Sequence, residues 1–276
     1  MNKKEQKHRI LIIGASGFVG NAIYKELSPY FRTFGTYRTP KKEFETNKQF
    51  FQYNVEEDDV YEILEVCKPS IIISALRGDF HSQIIAHQHI AEYAIEFGSK
   101  TIFLSSSNAF DAYSKYPSYE LDKTLSHSTY GHFKIKIENL LLRLPKKQVA
   151  VLRLPMVFGA NCPRIQEIRQ LVSDNASIEI FPNLIMNVML DKKVTQQIHY
   201  IINRNKYGIF HLGSTDLVHH DEFIKDLIPI VTNKKVLLKH VYTTNEDRYL
   251  AVLPKFNKLP KHLQITSDKV LEELAK

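Results

Sequence analysis

The apolar positions of this 276-residue chain fall into short continuous runs that alternate with longer amphipathic segments. Two runs, Ile10–Ile13 and Ser70–Ser74, are rich in isoleucine, which is typical of strands buried on both faces of a parallel sheet. The same pattern predicts strands at Arg32–Tyr37, Phe50–Tyr53, Thr101–Ser105, Val149–Leu154 and Gly208–Leu212, and helices at Val60–Val66, His81–Phe97 and Ile135–Leu144. This alternation predicts an α/β fold built on a doubly wound parallel sheet.

The alternation gives way to irregular, proline-punctuated sequence at Pro163–Asn187 and again beyond Ser214. We therefore predict a smaller, discontinuous substrate-binding lobe over the carboxyl ends of the strands, where doubly wound sheets bind their ligands. The predicted bounds are 1–160 for the sheet domain, completed by about 190–215, and 161–189 with 216–276 for the lobe.

Three glycines at a spacing of three, Gly14, Gly17 and Gly20, directly follow the first predicted strand. In a nucleotide-binding turn the first glycine makes the tight bend, the second lets backbone approach a pyrophosphate, and the third permits close packing of helix on strand. The helix that starts near Gly17 would direct its free N–H groups at the phosphates. The pattern favours a Rossmann-type dinucleotide site, and the alternative is a glycine-rich βα connection that binds nothing.

Composition narrows the class of protein further. Cys67 and Cys162 do not have the spacing of a disulfide scaffold or a cysteine-rich metal site, and they favour a reducing, cytoplasmic setting. No apolar run approaches the roughly 20 residues of a membrane span. The net charge of +7 is spread along the chain without a nucleic-acid-binding motif, so we expect it to attract an anionic substrate or cofactor. His87 and His89 lack metal-ligand spacing, and no metal site is predicted.

A second chemical signal lies at Tyr130 and Lys134, which share one face of a helix because they are four residues apart. A phenol has a reference pKa near 10, and a nearby ammonium lowers it, so the pair can donate a proton and be recharged. Ahead of it, Ser105, Ser106 and Ser107 close a predicted strand, where hydroxyls can hydrogen-bond a substrate carbonyl. Taken singly, these features also fit a surface helix pair and an ordinary serine-rich loop.

Together these motifs resemble the extended short-chain dehydrogenase/reductase family, from Arg9 to Gly159 and more loosely beyond. The resemblance rests on the glycine turn, the strand-end serines, Tyr130-Gly131-x-x-Lys134 with Glu138, and Leu152-Arg153 leading to Val157-Phe158-Gly159, all in the family's order. Tyr130 also follows Ser106 by 24 residues, as in the family. Within it, the segments Ser106-x-x-Ala109-Phe110-Asp111, Gly35–Arg38 and Tyr207–Gly213 look most like the dTDP-4-dehydrorhamnose reductase branch.

The resemblance implies NADPH-dependent reduction of a carbonyl on a nucleotide-linked keto-sugar. By that resemblance Tyr130 would donate the proton, Lys134 would hold the nicotinamide ribose and tune Tyr130, and Ser106 would hold the substrate carbonyl, with Ser105 and Ser107 as fallbacks. The implied cofactor-binding residues are Gly14, Ser16, Gly17, Phe18, Val19, Gly20, Tyr37, Arg38, Asn54, Ala75 and Lys134. Substrate contacts are expected from Ser107, Asn108 and Arg164, and the alternative for Arg164 is a solvated loop arginine.

Departures from the family pattern narrow the reaction. The reductase branch usually carries Asp in place of Ser107 and Trp in place of Met156, so the identity of the sugar substrate is not fixed by the resemblance. The 4,6-dehydratases need an Asp-Glu pair where Ser107-Asn108 stand, and fucose-synthase-type enzymes need a cysteine beside the serine. Carbonyl reduction is the reaction for which all of the family's motif residues are present. The alternatives are a sugar-nucleotide epimerase and a non-catalytic NADP-binding protein, like the regulatory subunit of methionine adenosyltransferase, which shares this fold.

Cofactor choice is predicted at the end of the second strand. NAD-specific sites place a carboxylate there, about 20 residues beyond the glycine turn, to accept from the ribose 2′-hydroxyl. This chain has Arg38 instead, with Thr36 and Thr39 as neutral hydrogen-bonding neighbours, and the first carboxylate that follows is Glu43. A guanidinium matches a 2′-phosphate, so NADP(H) is expected as the preferred cofactor and NAD(H) as the alternative. Stacking of Arg38 on adenine would instead leave no preference.

The predicted helix at His81–Phe97 carries more apolar surface than one sheet face needs, including Ile84, Ile85 and Phe97. In the family this helix and the one at Ile135–Leu144 often pair across a two-fold axis. A homodimer is therefore one expectation, and burial of the same residues in the core is the other. A small-molecule substrate is the expected partner, with neither nucleic acid nor membrane.

Overall fold

The computed structural model describes residues 8–113 and 115–276, so the first seven residues of the predicted 1–160 domain lie outside the described residues. The chain divides into two compact units, each assembled from three segments. The first comprises 8–105, 133–152 and 198–209, and the second comprises 106–132, 153–197 and 210–276. The second unit thus includes 106–132, which the predicted bounds gave to the sheet domain.

The strands of the described chain are β1 Arg9–Ile13, β2 Arg32–Tyr37, β3 Phe50–Gln52, β4 Ile71–Ser74, β5 Lys100–Ser106, β6 Val149–Leu154, β7 Met156–Phe158, β8 Ile178–Ile180, β9 Leu184–Met186, β10 Val188–Leu190, β11 Gly208–His211, β12 Val218–His219, β13 Leu238–His240 and β14 Arg248–Leu250. The helices are α1 Phe18–Leu27, α2 Lys42–Glu45, α3 Val60–Cys67, α4 Phe80–Phe97, α5 Thr129–Leu141, α6 Pro163–Ser173, α7 Asp191–Asn203, α8 His220–Val231 and α9 Ser267–Leu274. Among them, no helix is long and apolar enough to cross a bilayer.

Seven strands form a parallel sheet in the order β11-β6-β5-β4-β1-β2-β3, which confirms the predicted doubly wound α/β fold. Strand β1 lies between β2 and β4, as the pairings Leu11 with Phe34 and Leu11 with Ile72 show, and residues Ile10–Ile13 are completely buried. The chain runs outward from β1 to β3 and then returns to β4 on the other side. The crevice at the carboxyl ends of β1 and β4 is therefore the switch point where such sheets bind ligands.

Two hydrophobic clusters pack the helices of the first unit against the sheet. One joins β1 to α3 and α4 through Leu11, Leu64 and Ile90. The other joins β5 to α5 through Phe103 and Ile137. Full burial of a side chain of this size contributes about 1.5–3 kcal/mol, so these contacts hold α5 firmly in place.

Helix α5 begins at Thr129, earlier than the predicted start at Ile135, and it therefore includes Tyr130 and Lys134. The apolar surface of α4 is divided between core and solvent. Its inner residues are buried, whereas Ile85 is 41% and Phe97 is 57% exposed. Only part of this surface is used by the core, and the homodimer stays a prediction.

The stretches with irregular sequence fold into helices and very short strands in the second unit. The pairs β10-β7 and β13-β8 are parallel, and β9 lies between β12 and β14. Strands of two or three residues cannot show a periodic pattern, and α8 contains Pro229, so the sequence gives little sign of them.

Candidate active site

The glycine turn between β1 and α1 is shaped by two close backbone approaches. Gly14 has a φ of 87°, and a Cβ there would lie 2.6 Å from the carbonyl oxygen of Ala75. A Cβ on Gly20 would lie 2.1 Å from the carbonyl oxygen of Gly14. At Gly17, by contrast, a Cβ would meet only that same oxygen, at 3.4 Å, among the described residues. Packing within the protein therefore requires glycine at 14 and 20, whereas at 17 the space is open to a ligand.

Helix α1 starts in this turn with Gly17 as its N-cap residue, followed by Phe18 and Val19. Within the described chain no side chain caps this end, and its first turn carries no acidic residue. The amide end of a helix has a partial positive charge and unsatisfied N–H groups, which suit an anion. The pyrophosphate of NADP(H) fits the turn, because the open face of Gly17 and the uncapped helix end occur together.

Thr36, at the end of β2, ties the glycine turn to the sheet. Its hydroxyl accepts a hydrogen bond from Gly14 N at 2.8 Å, and its carbonyl oxygen accepts from Ser16 N at 3.2 Å. Thr36 is only 2% exposed. The Thr36 oxygen is thus engaged by the turn, and a neutral hydrogen bond from Thr36 to the cofactor stays a prediction.

Arg38 follows β2 and extends into solvent. Its side chain is 61% exposed, and Nη1 lies 3.8 Å from Oε1 of Glu56. The ring of Tyr37 is buried and stacks on Phe44, with 5.8 Å between the ring centroids. Asn54 accepts a hydrogen bond from Glu56 N at 3.3 Å, which shapes the loop after β3. The predicted cofactor contacts of Tyr37 and Asn54 stay predictions, and Arg38 is exposed where an anionic group can reach it.

A cavity of about 300 Å³ opens where β3 leads into α3. The acidic run Glu56–Asp59 lines it together with Tyr53, Ser82 and His89. The phenolic oxygen of Tyr53 is buried and has no hydrogen-bond partner among the described residues. Burial, aided by the nearby aspartates of the run, raises the pKa of Tyr53 well above its usual value. The cavity is thus acidic and adjoins the loop that contacts Arg38.

Lys134 is buried in the first unit, at the carboxyl end of β5. Its Nζ donates to the carbonyl oxygen of Leu104 at 3.0 Å and lies 4.7 Å from the centroid of the Phe103 ring. Burial lowers the pKa of Lys134 to about 8; Glu138 opposes this decrease and Arg77 adds to it. The ammonium is therefore mostly charged at neutral pH and loses its proton just above it.

Glu138 stands one helical turn after Lys134 and is 1% exposed. Its carboxylate accepts a hydrogen bond from the hydroxyl of Ser105, which is also buried. This contact occupies the proton of the Ser105 hydroxyl, and the fallback assignment of Ser105 to the substrate stays a prediction. In the sequence, Glu138 stands out only as part of the motif, although its spacing of four from Lys134 indicates a shared helix face.

In the second unit, Ser106 and Asn108 form a small polar turn. The Ser106 hydroxyl donates to Asn108 Oδ1 at 3.0 Å and accepts from Asn108 N at 3.2 Å. Ser107 is 5% exposed, whereas Ser106 is partly accessible. Of the three strand-end serines, Ser106 is thus the one that is not buried, and contacts of Ser106, Ser107 and Asn108 with a substrate stay predictions.

Asp111 and two serines organise the first turn of α5. The Asp111 carboxylate accepts from the Ser128 hydroxyl, which in turn accepts from Gly131 N at 3.0 Å. A Cβ on Gly131 would lie 2.0 Å from the hydroxyl oxygen of Ser126, so this turn requires glycine. Tyr130, held in the same turn, is 40% exposed. Tyr130 therefore belongs to a turn that is held by hydrogen bonds, and it is an exposed residue of that turn.

Arg164 lies in the first turn of α6 and is exposed, as expected for a residue that meets either a substrate or solvent. Its charge acts on the nearby His220. Burial first, and then Arg164, lower the pKa of His220 to about 4, so that imidazole is neutral at physiological pH. Arg164 is thus a cation beside a neutral ring, and its predicted role at a diphosphate stays a prediction.

The family model of the RmlD substrate binding domain matches residues 8–254. A dTDP-4-dehydrorhamnose reductase from Aggregatibacter actinomycetemcomitans is 26% identical over 277 residues, which covers 89% of this chain and 88% of the relative. Methionine adenosyltransferase 2 subunit beta from Xenopus laevis is 30% identical over 167 residues, covering 55% of this chain and 47% of that protein.

Solved structures share the fold at lower identity. The dTDP-4-dehydrorhamnose reductase of Bacillus anthracis, in complex with NADP, has a TM-score of 0.76 at 19% identity and covers 98% of this chain and 99% of that one. The dTDP-glucose 4,6-dehydratase of the same organism, in complex with NAD, has a TM-score of 0.79 at 15% identity and covers 96% and 94%.

Proposed function

Because the chain belongs to the RmlD substrate binding domain family, we propose that it is an NADPH-dependent reductase of a carbonyl on a nucleotide-linked keto-sugar. Its similarity to a dTDP-4-dehydrorhamnose reductase extends over most of both chains, which supports this reaction class. The NADP and NAD complexes of its structural neighbours support NADP(H) as the preferred cofactor and NAD(H) as the alternative.

The observation that carries the proposal is the arrangement of α5, which exposes Tyr130 and buries Lys134 one turn later. When bound, NADPH would supply the hydride for the carbonyl carbon. Tyr130 would donate a proton to the carbonyl oxygen, and Ser106 would hold that oxygen by a hydrogen bond. Lys134, a cation with a pKa of about 8, would hold the nicotinamide ribose and favour the phenolate left after donation.

The glycine turn supports the cofactor assignment. The N–H groups at the start of α1 and the open face of Gly17 would hold the pyrophosphate. Arg38 would meet the ribose 2′-phosphate, since its guanidinium is exposed at the end of β2. Arg164, Ser107 and Asn108 are the proposed substrate contacts. The free, buried cysteines Cys67 and Cys162 support a cytoplasmic setting.

The test is consumption of NADPH with a panel of dTDP-, UDP- and GDP-linked keto-sugars. We expect Tyr130→Phe to reduce turnover by about 10²–10⁴-fold, the range for loss of a general acid, and to leave NADPH affinity within about twofold. A Tyr130→Phe variant with normal turnover would contradict the mechanism.

A second candidate is a non-catalytic NADP-binding regulatory protein, which the similarity to methionine adenosyltransferase 2 subunit beta favours over 55% of the chain. Tight NADPH binding without turnover of any member of the panel would support this candidate instead. The third alternative, a sugar-nucleotide epimerase, would interconvert substrates without net consumption of NADPH.

A further inference from the structure

Arg38 has a carboxylate partner that comes from a different strand end. Its Nη1 lies 3.8 Å from Oε1 of Glu56, and the two side chains are 61% and 47% exposed. A Cβ on Gly78 would lie 3.6 Å from the same oxygen, so the carboxylate stands between the end of β2 and the loop after β4. Glu56 belongs to the connection between β3 and α3, outside the position where the sequence pattern places a cofactor-selecting acid.

The loop that carries Glu56 is held in place by its own hydrogen bonds. Glu56 N donates to Asn54 Oδ1 at 3.3 Å, and Asn54 N donates to the carboxylate of Asp58 at 2.6 Å. Asp59 caps α3 through Tyr61 N and also contacts His89 at 2.9 Å. Asp58 and Asp59 are thus engaged within the loop and its surroundings, whereas Glu56 is directed at Arg38.

We propose that Glu56 is a specificity-determining residue for the cofactor, because it competes with a ribose 2′-phosphate for Arg38. This inference rests on the proposed function and names which residue sets its cofactor preference. A phosphate monoester carries about 1.5 to 2 negative charges at neutral pH, so it must displace Glu56 from Arg38 or share the guanidinium with a like charge. A 2′-hydroxyl is neutral and can donate a hydrogen bond to the carboxylate. Glu56 therefore narrows the preference for NADPH over NADH.

The expected size of the effect follows from the exposure of the pair. Exposed ion pairs are weak, and two unit charges about 4 Å apart in water change an equilibrium about fivefold. We expect Glu56→Gln to tighten NADPH binding by about three- to tenfold and to leave NADH binding within about twofold. The gain should shrink at about 0.5 M salt, since salt screens exposed charges.

The experiment is a fluorescence titration of NADPH and NADH, which measures binding without substrate. Glu57→Gln is the matched control, because it removes the same charge from the neighbouring exposed position, and it should leave both affinities within about twofold. In an Arg38→Ala background the gain from Glu56→Gln should fall by at least about half, since the competition is lost. Unchanged melting temperatures would show that all variants are folded.

An unchanged or weaker NADPH affinity in Glu56→Gln would overturn the proposal, as would an equal gain in Glu57→Gln or an equal gain for NADH. These outcomes leave the proposed reductase standing, provided that the unmodified protein binds NADPH and turns over a keto-sugar. An unmodified protein that binds neither cofactor would overturn both proposals. Binding with the expected Glu56 effect but without turnover would support Glu56 and contradict the reductase.

Discussion

The charge of Lys134 should depend on Glu138, its neighbour one turn later on α5. The two side chains are 6% and 1% exposed, and Glu138 raises the pKa of Lys134 that burial lowers to about 8. Glu138→Gln replaces the carboxylate with an amide of the same shape, whose oxygen can still accept the hydrogen bond from Ser105. The substitution therefore removes one negative charge and keeps the packing nearly intact.

The magnitude follows from the geometry of the helix. Residues four apart have Cβ atoms about 5–6 Å apart. At an effective dielectric constant of about 20, unit charges about 6 Å apart interact by about 2.8 kcal/mol, which corresponds to about two pH units. The carboxylate favours the ammonium, so its removal lowers the pKa of Lys134 further below 10.5 and the positive charge is lost at a lower pH. Because the surroundings of Lys134 can relax after the substitution, we expect the pKa of Lys134 to decrease by about one to two pH units.

The assay is the pH dependence of NADPH affinity and of kcat/KM. For the unmodified protein, both should decline as the pH rises through about 8, where Lys134 loses its proton. In Glu138→Gln the decline should begin about one to two pH units lower. Ser105→Ala is the control, because it removes the hydrogen bond and retains the charge, and its profile should stay close to the original. Superimposable profiles of Glu138→Gln and the unmodified protein would refute the electrostatic reasoning.

Two further predictions concern cofactor choice and assembly. Arg38→Ala should cost about 1.5–3 kcal/mol of NADPH binding, the range for a hydrogen bond to a charged group, and little of NADH binding; equal or tighter binding of NADH by the unmodified protein would contradict it. If α4 forms a homodimer interface, light scattering should show a dimer, and Phe97→Glu, at a position 57% exposed, should shift it toward monomer. A monomer at about 100 μM would exclude that interface.

The central strands and both chemical motifs could be predicted from the sequence because they depend on local spacing. The isoleucine run of β1 reports burial on both faces, and the predicted bounds of β2 agree with the structure at both ends. Gly14 and Gly17 lie in the turn between β1 and α1, Gly20 lies in the first turn of α1, and Tyr130 and Lys134 share one helix. Each pattern is set by the repeat of a strand, a turn or a helix, which the order of residues expresses directly.

The partners of these residues were decided only by the tertiary structure. Thr36 holds the glycine turn, Ser105 donates to Glu138, and Glu56 comes to Arg38 from another loop. None of these contacts follows the period of a helix or a strand, so no pattern in the sequence predicts them.

Glu120 shows the same limit in the second unit. It is 2% exposed, and its carboxylate accepts from the backbone amides of 255–257, far along the chain. The local sequence does not distinguish Glu120 from the exposed glutamates of the chain. A buried carboxylate is stable only when hydrogen-bond donors compensate for its loss of hydration. These donors must be close in space, so their identity depends on how distant segments of the chain pack and not on the order of residues around the carboxylate.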